Sequence, residues 1–100
     1  RRFERIATNN VTATLRVPGA APAKAFVRDI SRSGIALRHD GPVAAGREVE
    51  IDLPDAGGAV SGRVIRAEGG ILAITFNDAP AMLVRIDRAL ANLSSSREAA

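Results

Sequence analysis

At 100 residues the chain has room for one domain with a single modest core. It has no Cys and a single His, so disulfide frameworks, thiolate metal sites and histidine clusters are excluded. The apolar runs are too short for a membrane span, and the basic start "RRFERIATNN" lacks the apolar stretch of a signal peptide, so a cytoplasmic location with no membrane contact is expected. The opening residue is Arg rather than Met, which leads us to expect a fragment of a longer protein.

The net charge of +3 is unevenly spread. Residues 1–38 carry seven Arg and Lys24 against Glu4 and Asp29, whereas residues 39–100 carry six Arg against nine acids. A basic N-terminal half fits an anionic partner, although composition alone favours a solvated surface in an Arg-rich and Ala-rich proteome. Arginine supplies thirteen of the fourteen basic residues. Its planar fork suits phosphates and guanine edges better than an ammonium group does.

In chain order, the sequence opens on a basic arm, residues 1–10, with little to bury. "VTATLRV" (11–17) then alternates, with Val11, Ala13, Leu15 and Val17 on one side and Thr12, Thr14 and Arg16 on the other, the mark of a half-buried strand. "PGAAPA" turns the chain. "AKAFVRDI" (23–30) and "GIALR" (34–38) are predicted strands joined through "DISRSG", and "HDGPVAAG" reads as a loop. "REVEIDL" (47–53) alternates most cleanly, with Val49, Ile51 and Leu53 inward. "AVSGRVIRA" (59–67) and "GILAITF" (70–76) form a predicted hairpin across Glu68, Gly69 and Gly70.

The period then changes from two to three and four. Asp78 is expected to cap a helix with Pro80 in its first turn, and Leu83, Ile86, Leu90 and Leu93 mark its apolar face. Residues 94–100, "SSSREAA", are expected to be a disordered tail, leaving 1–93 as the domain. Six short strands and one terminal helix predict a mainly β fold, a six-stranded antiparallel β-barrel closed to avoid exposed edges, with a C-terminal α-helix. Side chains fill barrels of this size, so a ligand is expected outside, at strand ends or loops.

Catalytic chemistry finds little support. His39 lies in the turn "HDG" without a second ligand or a supporting acid, and Asp52 and Asp55 flank Pro54 as turn carboxylates do. "GGAVSG" (57–62) has neither the Lys nor the strand-to-helix context of a phosphate loop or a dinucleotide fingerprint. No enzyme, cofactor or metal is expected. Three Phe with no Tyr or Trp leave few platforms for stacking DNA or RNA bases.

Two polar clusters remain. Arg1, Arg2 and Arg5 in "RRFER" form either an exposed arm or an anion grip. In "DISRSG", Asp29 and Ser31 are two apart and share a side on an extended backbone, while Gly34 permits conformations that a Cβ resists. Alone, that stretch is also explained as a turn held by its own hydroxyl and carboxylate.

Arg-x-x-x-Arg (Arg1, Arg5) before the first strand and Asp-x-Ser-x-x-Gly (Asp29, Ser31, Gly34) after the next, followed by "GREVEIDLP", "GRVIRA" and "LAITF", together resemble the PilZ domain over nearly the whole chain. The resemblance implies a bacterial receptor for the second messenger cyclic di-GMP, taken up in some relatives as an intercalated dimer. It implies that Arg1 and Arg5 wrap the nucleotide, that Asp29 accepts from the guanine N1 and N2 hydrogens, that Ser31 fixes this geometry, and that Gly34 lets the backbone pass close. Arg2 and Arg32 are added as further phosphate contacts. The output implied is a conformational switch, through ordering of the arm, passed to an effector domain or partner protein. The competing expectation is a PilZ-like protein-interaction module that binds no nucleotide.

Overall fold

The computed structural model describes residues 6–7, 11–39, 41, 43–54 and 56–99. Its strands are β1 (Ile6–Ala7), β2 (Thr12–Arg16), β3 (Ala23–Ile30), β4 (Gly34–Arg38), β5 (Glu48–Asp52), β6 (Ala59–Glu68) and β7 (Ile71–Phe76), followed by α1 (Pro80–Ala99). All described pairings are antiparallel. The order β3-β2-β5-β6-β7-β4 returns to β3 through the β3–β4 pair, so six strands close into the expected barrel and β1 is attached outside the ring.

The two-residue period places the core. Leu15, Val27, Ile30, Ile35, Leu37, Ile51, Val60 and Val64 are each at most 3% exposed, and they fill the interior with branched aliphatic side chains. Among the described residues the inward side chains meet across the barrel in one continuous cluster, as in other small filled barrels.

β3 is long enough to have two neighbours on one edge. Its first half pairs with β2 (Thr12↔Phe26 through Leu15↔Ala23), and its end pairs with β1 (Ile6↔Ile30, Ala7↔Asp29). β1 falls within residues 1–10, the segment expected to be a flexible arm, and ties that segment to β3 by a backbone ladder. The remainder of the arm, with Arg1, Arg2 and Arg5, lies outside the described residues.

The helix departs from expectation at both ends. The side chain bound to its start is that of Asn77, whose Oδ1 accepts the Ala79 N–H at 2.8 Å, rather than that of Asp78. Asp78 could not make this turn, because the residue two positions after it is Pro80, which has no N–H to donate. Pro80 opens the helix, where its missing N–H costs nothing. At the far end α1 continues to Ala99, over residues 94–99 that were expected to be disordered. That stretch contains neither Gly nor Pro to stop a helix. Ile86 and Ala89 are fully buried in the barrel cluster, with Met82, Leu83 and Leu90 partly buried against it. The Leu93 side chain lies outside those described.

Polar ties fix where the helix rests. Arg85 donates from Nη1 to the Ala59 carbonyl at 2.7 Å, and the Ser61 N–H donates to the Met82 sulfur at 3.5 Å, both at the start of β6. Arg32, in the β3–β4 turn, forks onto Asp87 (Nε to Oδ1 2.9 Å, Nη2 to Oδ2 3.3 Å). The helix therefore spans the barrel end that carries "DISRSG".

Candidate functional site

The β3–β4 connection is built by its serines. The Ser31 N–H donates to the Gly34 carbonyl at 2.8 Å, closing the turn. The Ser31 hydroxyl accepts the Ser33 N–H at 3.3 Å and lies 3.1 Å from the Ser33 hydroxyl. Ser31 is 1% exposed, the one buried polar residue among those described. Such a hydroxyl replaces the missing backbone partners of a tight turn. The expectation that Ser31 and Asp29 share a side is therefore modified: Asp29 faces outward, whereas Ser31 is packed beneath the turn that it holds.

A bulge sets the direction of Asp29. The β3–β4 register shifts between Val27 and Asp29, leaving Arg28 as an extra residue. Without that insertion Asp29, two residues after the buried Val27, would face the core. With it, Ile30 takes the inward position, and Arg28 and Asp29 lie close enough for Arg28 Nε to donate to Asp29 Oδ2 at 3.0 Å. Adjacent residues on a regular strand could not meet in this way. The Asp29 side chain remains 16% exposed.

Gly34 is required for a different reason from the one expected. It is not among the glycines of positive φ. A Cβ at this position would lie 2.5 Å from the Ile74 carbonyl oxygen, because β7 crosses here at close range. The demand comes from strand packing, and backbone on the far side cannot move aside as a side chain would.

Asp29, Gly34 and Ser33 open onto a shallow depression of ≈ 290 Å³ on the outer wall, whose far side is Ile65, Arg66 and Thr75. Its floor is formed by Ala36 and Ala73, which stand in register between Asp29 and Arg66 (Asp29↔Ala36, Ala36↔Ala73, Arg66↔Ala73). Arg28, Ser33, Ile65 and Arg66 were not singled out by sequence reasoning. A signal was available: buried Val27 and Ile30 stand three apart instead of two, and Val64 and Ile65 are adjacent apolar residues in an otherwise alternating strand.

Arg32 is committed elsewhere, to Asp87, and would reach a ligand only by leaving it. Asp52 accepts from Arg16 through Nε and Nη2 at 2.8 and 2.6 Å, which makes it half of an ion pair instead of an acid beside Asp55; Asp55 lies outside the described residues. His39 donates its backbone N–H to Gly70, as a loop residue would. Among the described residues no group of three metal-ligating side chains occurs, and no helix is long and apolar enough to cross a membrane.

The fold and site together define a small filled barrel with Asp29, Ser33 and Arg66 on one outer wall beside the β3–β4 turn. The chain matches the family model of the PilZ domain over residues 1–92, and it belongs to that family. The PilZ domain of CeSA from a cellulose-synthesizing bacterium superposes with a TM-score of 0.78 at 20% identity, covering 91% of this chain and 98% of that one. The PilZ domain of Escherichia coli YcgR, solved with c-di-GMP, gives 0.76 at 14% identity, over 99% of this chain and 95% of that one. The MrkH–c-di-GMP complex of K. pneumonia gives 0.72 at 16%, over 99% of this chain and 54% of that one. No curated protein matches the sequence.

Proposed function

We propose that this domain is a receptor for cyclic di-GMP, gripped between the arginine arm and the β3–β4 turn. Arg1 and Arg5 donate to phosphates and guanine edges and lie against a base, three tasks that one guanidinium can combine and an ammonium cannot. Asp29 accepts from the guanine N1 and N2 hydrogens, a pair of donors that adenine lacks. Ser31 acts indirectly, by holding the turn that aims Asp29. The observation that carries this reading is the β1–β3 ladder: Ile6, the residue after Arg5, pairs with Ile30, the residue after Asp29. Family membership and the c-di-GMP complexes of structural neighbours support it.

The signal in this reading is ordering of the arginine-bearing residues ahead of β1 over the β3–β4 turn on binding, which changes the surface offered to a neighbouring domain or partner protein. Calorimetric titration with cyclic di-GMP tests the binding. A hydrogen bond to a charged group is worth roughly 1.5–3 kcal/mol, so Asp29→Ala and Arg5→Ala should each weaken affinity by about tenfold to more than a hundredfold. A silent titration of the unsubstituted domain rejects the function. Affinities of both variants within a factor of two of the parent reject the residue assignment.

A further inference from the structure

The depression beside Asp29 has a second wall that no sequence motif of the arm or turn supplies. β6 is bulged as β3 is: its register with β7 shifts between Val64 and Arg66, leaving Ile65 as the extra residue. The two bulges stand at the ends of one cross-strand row, Asp29–Ala36–Ala73–Arg66, so that each end carries an adjacent pair of side chains, Arg28 with Asp29 and Ile65 with Arg66. Bulges re-aim side chains, and here both do so onto the same wall.

The two middle positions of the row are alanines, with Ala36 only 5% exposed, so the space between the ends is open and shallow. Three strand spacings separate the ends, roughly 14 Å measured along the curved wall of the barrel. Ile65 is 58% exposed, one of three large apolar side chains left in solvent among the described residues. Arg66 is exposed too, and among the described residues it makes neither an ion pair nor a side-chain hydrogen bond, unlike Arg16, Arg28, Arg32 and Arg63. An acceptor-only carboxylate at one end and an uncommitted five-donor fork at the other match a ligand with a donor edge at one end and an anionic oxygen cluster at the other.

We propose that Ile65 and Arg66 are the second wall of the nucleotide site: Arg66 forks onto a ligand phosphate while Asp29 holds a guanine edge, and Ile65 gives an apolar surface to the face of the ligand between them. This rests on the cyclic di-GMP reading, and it adds specificity-determining residues on β6 to those of the arm and turn. It also gives the exposed Ile65 a function that folding does not require.

The test is calorimetric titration of cyclic di-GMP into the unsubstituted domain and into Arg66→Ala, Arg66→Lys, Ile65→Ser and Arg63→Ala, at two ionic strengths, with thermal melts as a check on folding. Arg66→Ala should lose roughly tenfold to a hundredfold in affinity and show a shallower dependence on salt. Arg66→Lys keeps the charge without the fork and should recover only part of the loss. Ile65→Ser should weaken binding severalfold with the salt dependence unchanged. Arg63→Ala should bind as the parent does, since Arg63 lies outside the row and pairs with Glu48. If the parent binds and Asp29→Ala does not, yet folded Arg66→Ala keeps both affinity and salt dependence, the second wall is wrong and the receptor reading stands. If the parent itself fails to bind, both readings fall.

Discussion

The hairpin joining β6 to β7 turns on Gly69 and Gly70, both with positive φ (62° and 77°), while the hairpin joining β3 to β4 turns on Ser31, Arg32 and Ser33 without a glycine. Left-handed residues at both central positions match the right-handed twist of the flanking strands, so the first turn is efficient for folding and offers no side chain to anything else. The second reaches its shape through the Ser31 hydroxyl and presents Arg32 and Ser33 outward as a result. A turn held by side chains can carry chemistry that a turn held by glycine cannot.

Substitutions at the two turns should separate these purposes. The largest effect on stability is expected from Gly34→Ala, where the new methyl meets the Ile74 carbonyl; overpacking of this kind costs about 1–3 kcal/mol and should appear as a lowered melting temperature. Next comes Gly69→Ala, which has open space around it but forces Ala into the left-handed region at about 1–2 kcal/mol, and cyclic di-GMP affinity should be untouched. Ser31→Ala removes the acceptor for the Ser33 N–H at about 0.5–1.5 kcal/mol. Unlike the glycine change it should also weaken binding in titration, by loosening the support of Asp29. If Gly69→Ala weakened binding as much as Ser31→Ala, the division between the two turns would be lost. The smallest effect is expected from Asp87→Ala, since both partners of its pair with Arg32 are about half exposed; denaturant titration should show a loss of at most about 1 kcal/mol that vanishes in high salt.

The barrel was legible because its strands obey a two-residue period with branched aliphatic side chains inward, and Val49 and Ile51 were placed correctly by alternation alone. The helix start was legible from Pro80, although the side-chain hydrogen bond just ahead of it comes from Asn77 and not from Asp78. Less visible were features that depend on pairing. Nothing in "RRFERIATNN" announces β1, because a two-residue strand exists only through its partner β3. The outward turn of Asp29 depends on one inserted residue, and Gly34 is fixed by a strand forty residues further along the chain. Arg66 stands opposite Asp29 only once β4 and β7 lie between them, so its place in the site belongs to topology and has no motif.

The Arg32–Asp87 fork joins positions 55 apart in sequence, and it is the described side-chain ion pair between the helix and the turn. Being solvated, it can break and re-form on the timescale of side-chain rotation, far faster than any strand can slip. An anion drawn to Arg32 would compete with Asp87 for the same donors, and the helix would then keep an unbalanced negative charge on its surface. Whatever sits against that stretch of helix in the working assembly would thus encounter a different electrostatic face, although the barrel beneath had not moved.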